Sequence, residues 1–199
     1  ILKGVGMHLV VRSHLADFAN KFFVSDIQSK QFEAFLNYVI FRSHSADTID
    51  PASLVYDGDD PGVDGVMVFI DDSYVSSVDE VENAMAGKRR DADVTIVFTQ
   101  AKTSESWSKA EINVFQSAIS DFLSEEVAYP HSDYMTNAKE VFQAVLKHLG
   151  KIKGGKPEVQ ACFGTTARAS NDREILAARK ALATSLTSTG YFTKVDVTL

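Results

Sequence analysis

Apolar residues recur at helical spacing near the start of the chain, where Val11, Leu15, Phe18 and Phe22 predict a helix over 7–22. A second helix is expected from about 29 to 41. There Phe32, Phe35, Leu36, Val39 and Ile40 fall at i, i+3, i+4, i+7 and i+8 and make one continuous stripe. The period then changes. Val66-Met67-Val68-Phe69-Ile70 and Val94-Thr95-Ile96-Val97-Phe98 are short β-rich apolar runs, suited to strands buried on both faces. The turn cluster Asp57-Gly58-Asp59-Asp60-Pro61-Gly62 precedes the first run, and Asp71-Asp72-Ser73 ends it. Between the two runs, 76–90 is polar and reads as a loop or a short exposed helix.

Beyond the second run, Ser108 and Glu111 stand at N-cap and N3 spacing, the mark of a capping box. They open a helix whose face is Ile112, Phe115, Ile119, Phe122 and Leu123. Another helix carries Val141, Phe142, Val145, Leu146 and Leu149. A basic glycine-containing turn follows at 150–157, then a strand over 158–165. A helix over 170–189, with Ile175, Leu182 and Leu186 on one stripe, is closed by Gly190 and followed by a strand-like alternation to Leu199. This order predicts an α/β fold with a mixed central sheet flanked by helices. The expected division is an N-terminal helical segment (1–28), a core (29–166), and a helix and strand (167–199). The last part either extends the core or begins a following region.

Composition narrows the classes. The chain has 199 residues, 45% hydrophobic and 24% charged, with a mean hydropathy of −0.07. That places it among globular domains and leaves no apolar run of the ~18–20 residues that a membrane span needs. A single cysteine, Cys162, excludes an intrachain disulfide framework and a Cys-rich zinc site, and points to a reducing cytoplasm. The chain begins at Ile1 rather than methionine, which reads as a piece of a longer protein with Met7 as one candidate start. The net charge of −7 argues against a protein that coats nucleic acid. Its distribution is uneven: residues 57–93 hold eleven acids against three bases, whereas 147–180 hold eight bases against three acids. Both clusters suit a solvated surface; they also suit a cation-binding acidic centre with a basic flank able to hold a polyanion.

The chemistry concentrates in two places. Asp64 lies just before the first strand run, and Gln100-Ala101-Lys102 ends the second. If those strands are neighbours, the two groups meet at one end of the sheet. Gln100 and Lys102, two apart on an extended chain, then point to one face. An Asp carboxylate and a Gln carbonyl oxygen are hard ligands suited to Mg²⁺, and a lysine ammonium beside a metal-bound water could orient it. These are parts for metal-assisted attack on a phosphodiester.

Asp-Gly-Asp-Asp-Pro-Gly-Val-Asp-Gly (57–65) followed by Gln100-Ala101-Lys102 resembles the Mrr-like branch of the PD-(D/E)XK nuclease superfamily, in which Gln-x-Lys replaces Asp- or Glu-x-Lys. A Phe-Glu-x-x-Leu helix (Phe32, Glu33, Leu36) ahead of the Asp strand, and a helix then a strand after Gln-x-Lys, extend the likeness. It covers roughly residues 29–166 and is nearest to the N-terminal region of AIPR-type abortive-infection phage-resistance proteins. The resemblance implies a restriction-endonuclease-like fold and a Mg²⁺-dependent nuclease (Mn²⁺ as a substitute) acting in bacterial phage defence. Asp64, Gln100, the Ala101 carbonyl and Glu33 would hold the metal, with Asp64, Gln100, Glu33 and Lys102 as the catalytic group. The expected partners are nucleic acid, DNA rather than RNA, and further C-terminal domains of the same chain. A homodimer is compatible with this scheme and a membrane is not.

Each residue also has a plainer reading. Asp64 beside Gly65 suits a turn, Gln-x-Lys suits an exposed strand end, Glu33 suits a solvated helix face, and Asp59 and Asp60 suit turn formers. Because Gln100 is neutral, a nuclease-fold module that binds nucleic acid or a protein without cutting is the alternative. Lys151, Lys153 and Lys156 are candidates for contact with a nucleic-acid backbone. Their Gly150–Lys156 segment matches the letters of a phosphate-binding loop, but Pro157 follows and the flanking elements stand in the wrong order. The five histidines show no metal-ligand spacing. Cys162 reads as a buried hydrophobe, and Trp107 as a packing anchor rather than a base-stacking platform.

Overall fold

A computed structural model of the protein describes residues 7–22, 24–56 and 62–199. Its centre is a five-stranded sheet: β1 (Gly65–Ile70), β2 (Ser73–Val75), β3 (Val94–Lys102), β4 (Glu158–Thr165) and β5 (Lys194–Thr198), in the order β2-β1-β3-β4-β5. β1 is antiparallel to both of its neighbours, whereas β3, β4 and β5 are mutually parallel. The helices are α1 (Leu9–Lys21), α2 (Gln28–His44), α3 (Val78–Met85), α4 (Lys109–Leu123), α5 (Asp133–Lys147) and α6 (Arg173–Ser188). The mixed sheet flanked by helices that the order of elements predicts is therefore present.

Alternation along the strands sorts side chains between two cores. Val66, Val68 and Ile70 of β1 and Val94, Ile96 and Phe98 of β3 enter the larger core, with the buried faces of α3 to α6. Met67, Phe69 and Val97 enter the smaller one, under Ile40 and Phe41 of α2. α1 packs on α2 through Phe18, whose ring meets those of Phe35 and Tyr38. With helices on both faces, β1 has no solvated side; all six of its residues are buried.

The structure adds to the sequence expectation at three places. Asp71 and Asp72 end β1 where its apolar run stops. They take φ of 49° and 65° and reverse the chain as a two-residue turn into β2, the conformation that matches strand twist in a hairpin. The polar 76–90 stretch contains a packed helix: Ser77 caps α3, and Val81 and Met85, four apart, have no exposed surface. Val78 and Ala84, partly buried, pack against the same core, so Val78, Val81 and Met85 form one inward face at helical spacing. Third, β5 pairs with β4, and Ile175, Ala178, Leu182 and Leu186 of α6 join the larger core, so 167–199 completes the same sheet. Of the acidic turn, Asp57, Asp59 and Asp60 lie outside the described residues.

Candidate functional site

The pairing of β1 with β3 begins at Gly65 opposite Thr99, and the Asp64 amide donates to the Thr99 carbonyl at 2.8 Å. Beyond Thr99 the β1-facing edge of β3 has no strand partner. The Asp64 carboxylate takes its place: Oδ2 accepts from the Ala101 amide at 2.7 Å and from Gln100 Nε2 at 2.5 Å. In an extended strand the N–H and C=O of one residue point to the same edge, so the Ala101 carbonyl looks out beside Asp64. Gln100 is 1% exposed, and its Oε1 has no hydrogen-bond partner among the described residues. Lys102 stands two residues along on the same face, half-exposed, and its ammonium makes no hydrogen bond or ion pair with another described residue.

α2 supplies the other wall. Asn37, 1% exposed, donates to the Leu54 carbonyl at 2.8 Å and accepts from Thr99 Oγ1 at 2.7 Å, pinning the helix to β3. Gly65 permits this approach, since a Cβ there would sit 2.6 Å from Thr99 Oγ1 and 3.2 Å from Asn37 Nδ2. One turn earlier on α2, Glu33 is buried, not solvated. Its Oε2 pairs with Lys30 Nζ at 3.1 Å and its Oε1 accepts from the Tyr56 amide at 3.3 Å, while Lys30 also donates to the Tyr56 carbonyl at 3.0 Å. Burial pushes the Glu33 carboxyl above its ordinary 4.5. The Lys30 hydrogen bond opposes this and the negative charge of Asp64 adds to it, which places Glu33 within electrostatic reach of Asp64.

Asp64, Gln100 and Ala101 thus meet at one end of the β1–β3 pair, with Lys102 on the same face of β3 and Glu33 on the adjoining helix. The lysines at 151, 153 and 156 do not join them. Lys151 and Lys153 bracket Ala92 through backbone hydrogen bonds, just before β3 begins. Lys102 ends that nine-residue strand, roughly 26 Å away at ~3.3 Å per residue. Lys151 Nζ is engaged by the Met85 carbonyl at 3.0 Å, and Lys153 faces Asp93 at 3.3 Å. The lysine turn of the basic flank therefore lies at the opposite end of the sheet.

Lys30, Asn37, Thr99 and Tyr134 were not legible as parts of this region. Lys30–Glu33 is an i,i+3 pair of opposite charge, a usable signal. Asn37 lies off the expected stripe, because the buried face of α2 is turned toward Glu33, Asn37 and Phe41 and leaves Val39 exposed. Tyr134 gave no signal. Its hydroxyl comes from α5 to accept from the Val66 amide at 2.7 Å and donate to the Val66 carbonyl at 2.8 Å.

No group of three or more His, Cys, Asp or Glu side chains among the described residues could hold a metal. The donors at the β1–β3 end are oxygens of another kind: one carboxylate, one backbone carbonyl and one amide. In kind they fit a hard, largely hydrated dication. A half-turn of the Gln100 amide would bring Oε1 beside the Asp64 carboxylate, which becomes favourable when a cation lies between the two oxygens. Both oxygens of Glu33 are already engaged. Cys162 is remote from this chemistry; burial, with a lesser contribution from Asp196, pushes its thiol up to about 12. Comparison of the chain with protein-family models, curated proteins and solved structures gives no match.

Proposed function

We propose that this chain is a metal-dependent nuclease domain that hydrolyses phosphodiester bonds, built on a restriction-endonuclease-like fold. The observation that carries the reading is the convergence of Asp64, Gln100 and the Ala101 backbone at one end of two adjacent strands, with Lys102 on the same face of β3. The order of elements supports it as well: the Phe32-Glu33-Leu36 helix precedes β1, and helices and then β4 follow β3.

Asp64 and the Ala101 carbonyl offer fixed oxygen donors, held by the strand register itself. Gln100 adds a neutral oxygen through its amide. Lys102 presents an ammonium that can orient an attacking water or offset charge gathering on a phosphate. Bound Mg²⁺, or Mn²⁺ in its place, supplies Lewis-acid stabilisation and a more acidic water. Glu33 serves as the counter-ion of Lys30 at the edge of the site. A DNA substrate and a role in bacterial phage defence belong to the same proposal and rest on the sequence resemblance.

A second reading, a nuclease-fold module that binds without cutting, is favoured by one feature: without a ligand the centre satisfies most of its own groups. Asp64 Oδ2 holds two N–H donors and Glu33 holds Lys30. Single-turnover cleavage of DNA with Mg²⁺ and with Mn²⁺ separates the two. Cleavage that falls roughly 100-fold or more in Lys102→Ala, with DNA affinity nearly unchanged, supports the nuclease. Retained binding with no cleavage by either metal gives the second reading.

A further inference from the structure

At the end of the sheet where Lys102 lies, the loops that follow β3 and β4 run side by side and are locked together. Ser104 Oγ and Thr165 Oγ1 are 3.0 Å apart, and Thr166 Oγ1 donates to the Ser104 carbonyl at 3.0 Å. The Thr166 amide donates to the Lys102 carbonyl at 3.2 Å. Trp107 Nε1 donates to the Arg168 carbonyl at 2.7 Å. These bonds make a floor that needs no ordering when something binds. Above it lies a groove of about 820 Å³, lined among others by Arg12, Glu105, Trp107, Arg168, Asn171 and Asp172. That size is within the range of sites for sizeable ligands. It also lies outside the carboxyl ends of parallel strands, where open α/β sheets place their ligands.

Two side chains set the chemistry. The indole of Trp107 spends its only polar group on the Arg168 backbone and packs against the ring of Phe163, 6.1 Å between centroids. What it offers the groove is a fixed aromatic surface. The Arg168 side chain is exposed and makes no hydrogen bond or ion pair with another described residue. A flat apolar surface beside an available guanidinium matches one nucleobase and its neighbouring phosphate.

We propose that this groove is the path of a single polynucleotide strand, with Trp107 stacking a base and Arg168 holding the backbone, and that it replaces the distant Lys151–Lys156 turn as the nucleic-acid contact. The proposal rests on the reading of the substrate as nucleic acid. It places the strand beside Lys102, on the continuation of the same β-strand.

Trp107 is the chain's only tryptophan, so its fluorescence reports this groove alone. The test titrates the 199-residue chain, in EDTA, with fluorescein-labelled oligothymidylate for anisotropy and with the unlabelled strand for tryptophan emission. An abasic strand of equal length is the control. Saturable quenching by the base-bearing strand, with affinity ~5- to 100-fold above the abasic one, supports the groove. Arg168→Ala, which keeps the carbonyl that Trp107 uses, should weaken binding about 5-fold and flatten its salt dependence. Binding by anisotropy with unchanged tryptophan emission overturns the groove and leaves the nuclease reading standing. Quenching by a strand that the protein never cuts with either metal keeps the groove and overturns that reading. No binding at all overturns the groove and leaves the nuclease reading to the cleavage assay with metal.

Discussion

Glu33 is a residue whose surroundings set its behaviour more than its type does. Taken out of water and placed near Asp64, it keeps its proton to higher pH than in an unfolded chain, with Lys30 holding the shift in check. A raised folded value means that the native state binds the extra proton. Its contribution to stability is therefore complete below about 4.5 and is lost as pH rises through the folded value. Thermal unfolding of wild type from pH 4 to 7, in metal-free buffer, should show this decline. In Glu33→Gln, which cannot titrate, the same series should be flatter. In Lys30→Met the loss should extend to higher pH, because the opposing influence is gone. Equal slopes in wild type and Glu33→Gln would remove Glu33 from the pH response.

At the scale of elements, strand β1 is short of partners on its outer edge. β2 pairs with it only from Val68 onward, so the amide and carbonyl of Val66 turn to a single hydroxyl, that of Tyr134. Tyr134→Phe keeps the ring stacked on Tyr56 but leaves both backbone groups unanswered. The expected loss is about 1–3 kcal/mol by urea unfolding, and a loss under a few tenths would mean that water replaces the hydroxyl freely. The neighbouring hairpin gives a prediction of opposite sign. Asp72 is exposed at a φ of 65°, a conformation that costs an L-residue and not glycine. Asp72→Gly should stabilise by about 0.5 kcal/mol. Asp71 should not be changed with it, because its side chain accepts from the Asp93 amide and pairs with Lys88.

At the scale of the molecule, α6 and β5 decide whether residues 29–166 stand alone. α6 covers α4 with Ile175, Ala178, Leu182 and Leu186, and β5 closes the edge of β4. A chain ending at Thr166 would expose that apolar face together with an unpaired strand edge. It should lack a cooperative thermal transition and bind a hydrophobic dye. A sharp transition in the truncated chain would make 29–166 an autonomous unit. No helix among the described residues is long and apolar enough to cross a membrane.

Much of this arrangement was legible in the chain because it is local. Period 3.6 placed α2, α4 and α5, continuous β-rich runs placed β1 and β3, and Ser108 capped α4, where the Glu111 amide donates to its hydroxyl. The pairing of Asp64 with Gln-x-Lys was within reach too, since each lies at the end of a strand and neighbouring strands bring such ends together. What sequence could not decide was which ends coincide and what each side chain meets there. The lysine turn and the Gln-x-Lys strand end both adjoin β3, yet strand direction sets them roughly 26 Å apart over nine residues. For Glu33 and Gln100 the chain left a site role and a solvated one side by side; the 55–56 backbone lying over Glu33 and the burial of the Gln100 amide removed the solvated reading of each. For Trp107 the chain favoured packing over base stacking, and only the meeting of the loops after β3 and β4 set its indole at the wall of a groove. Burial, strand direction and loop-to-loop contact join residues far apart in the chain, and those contacts exist only once the sheet has closed.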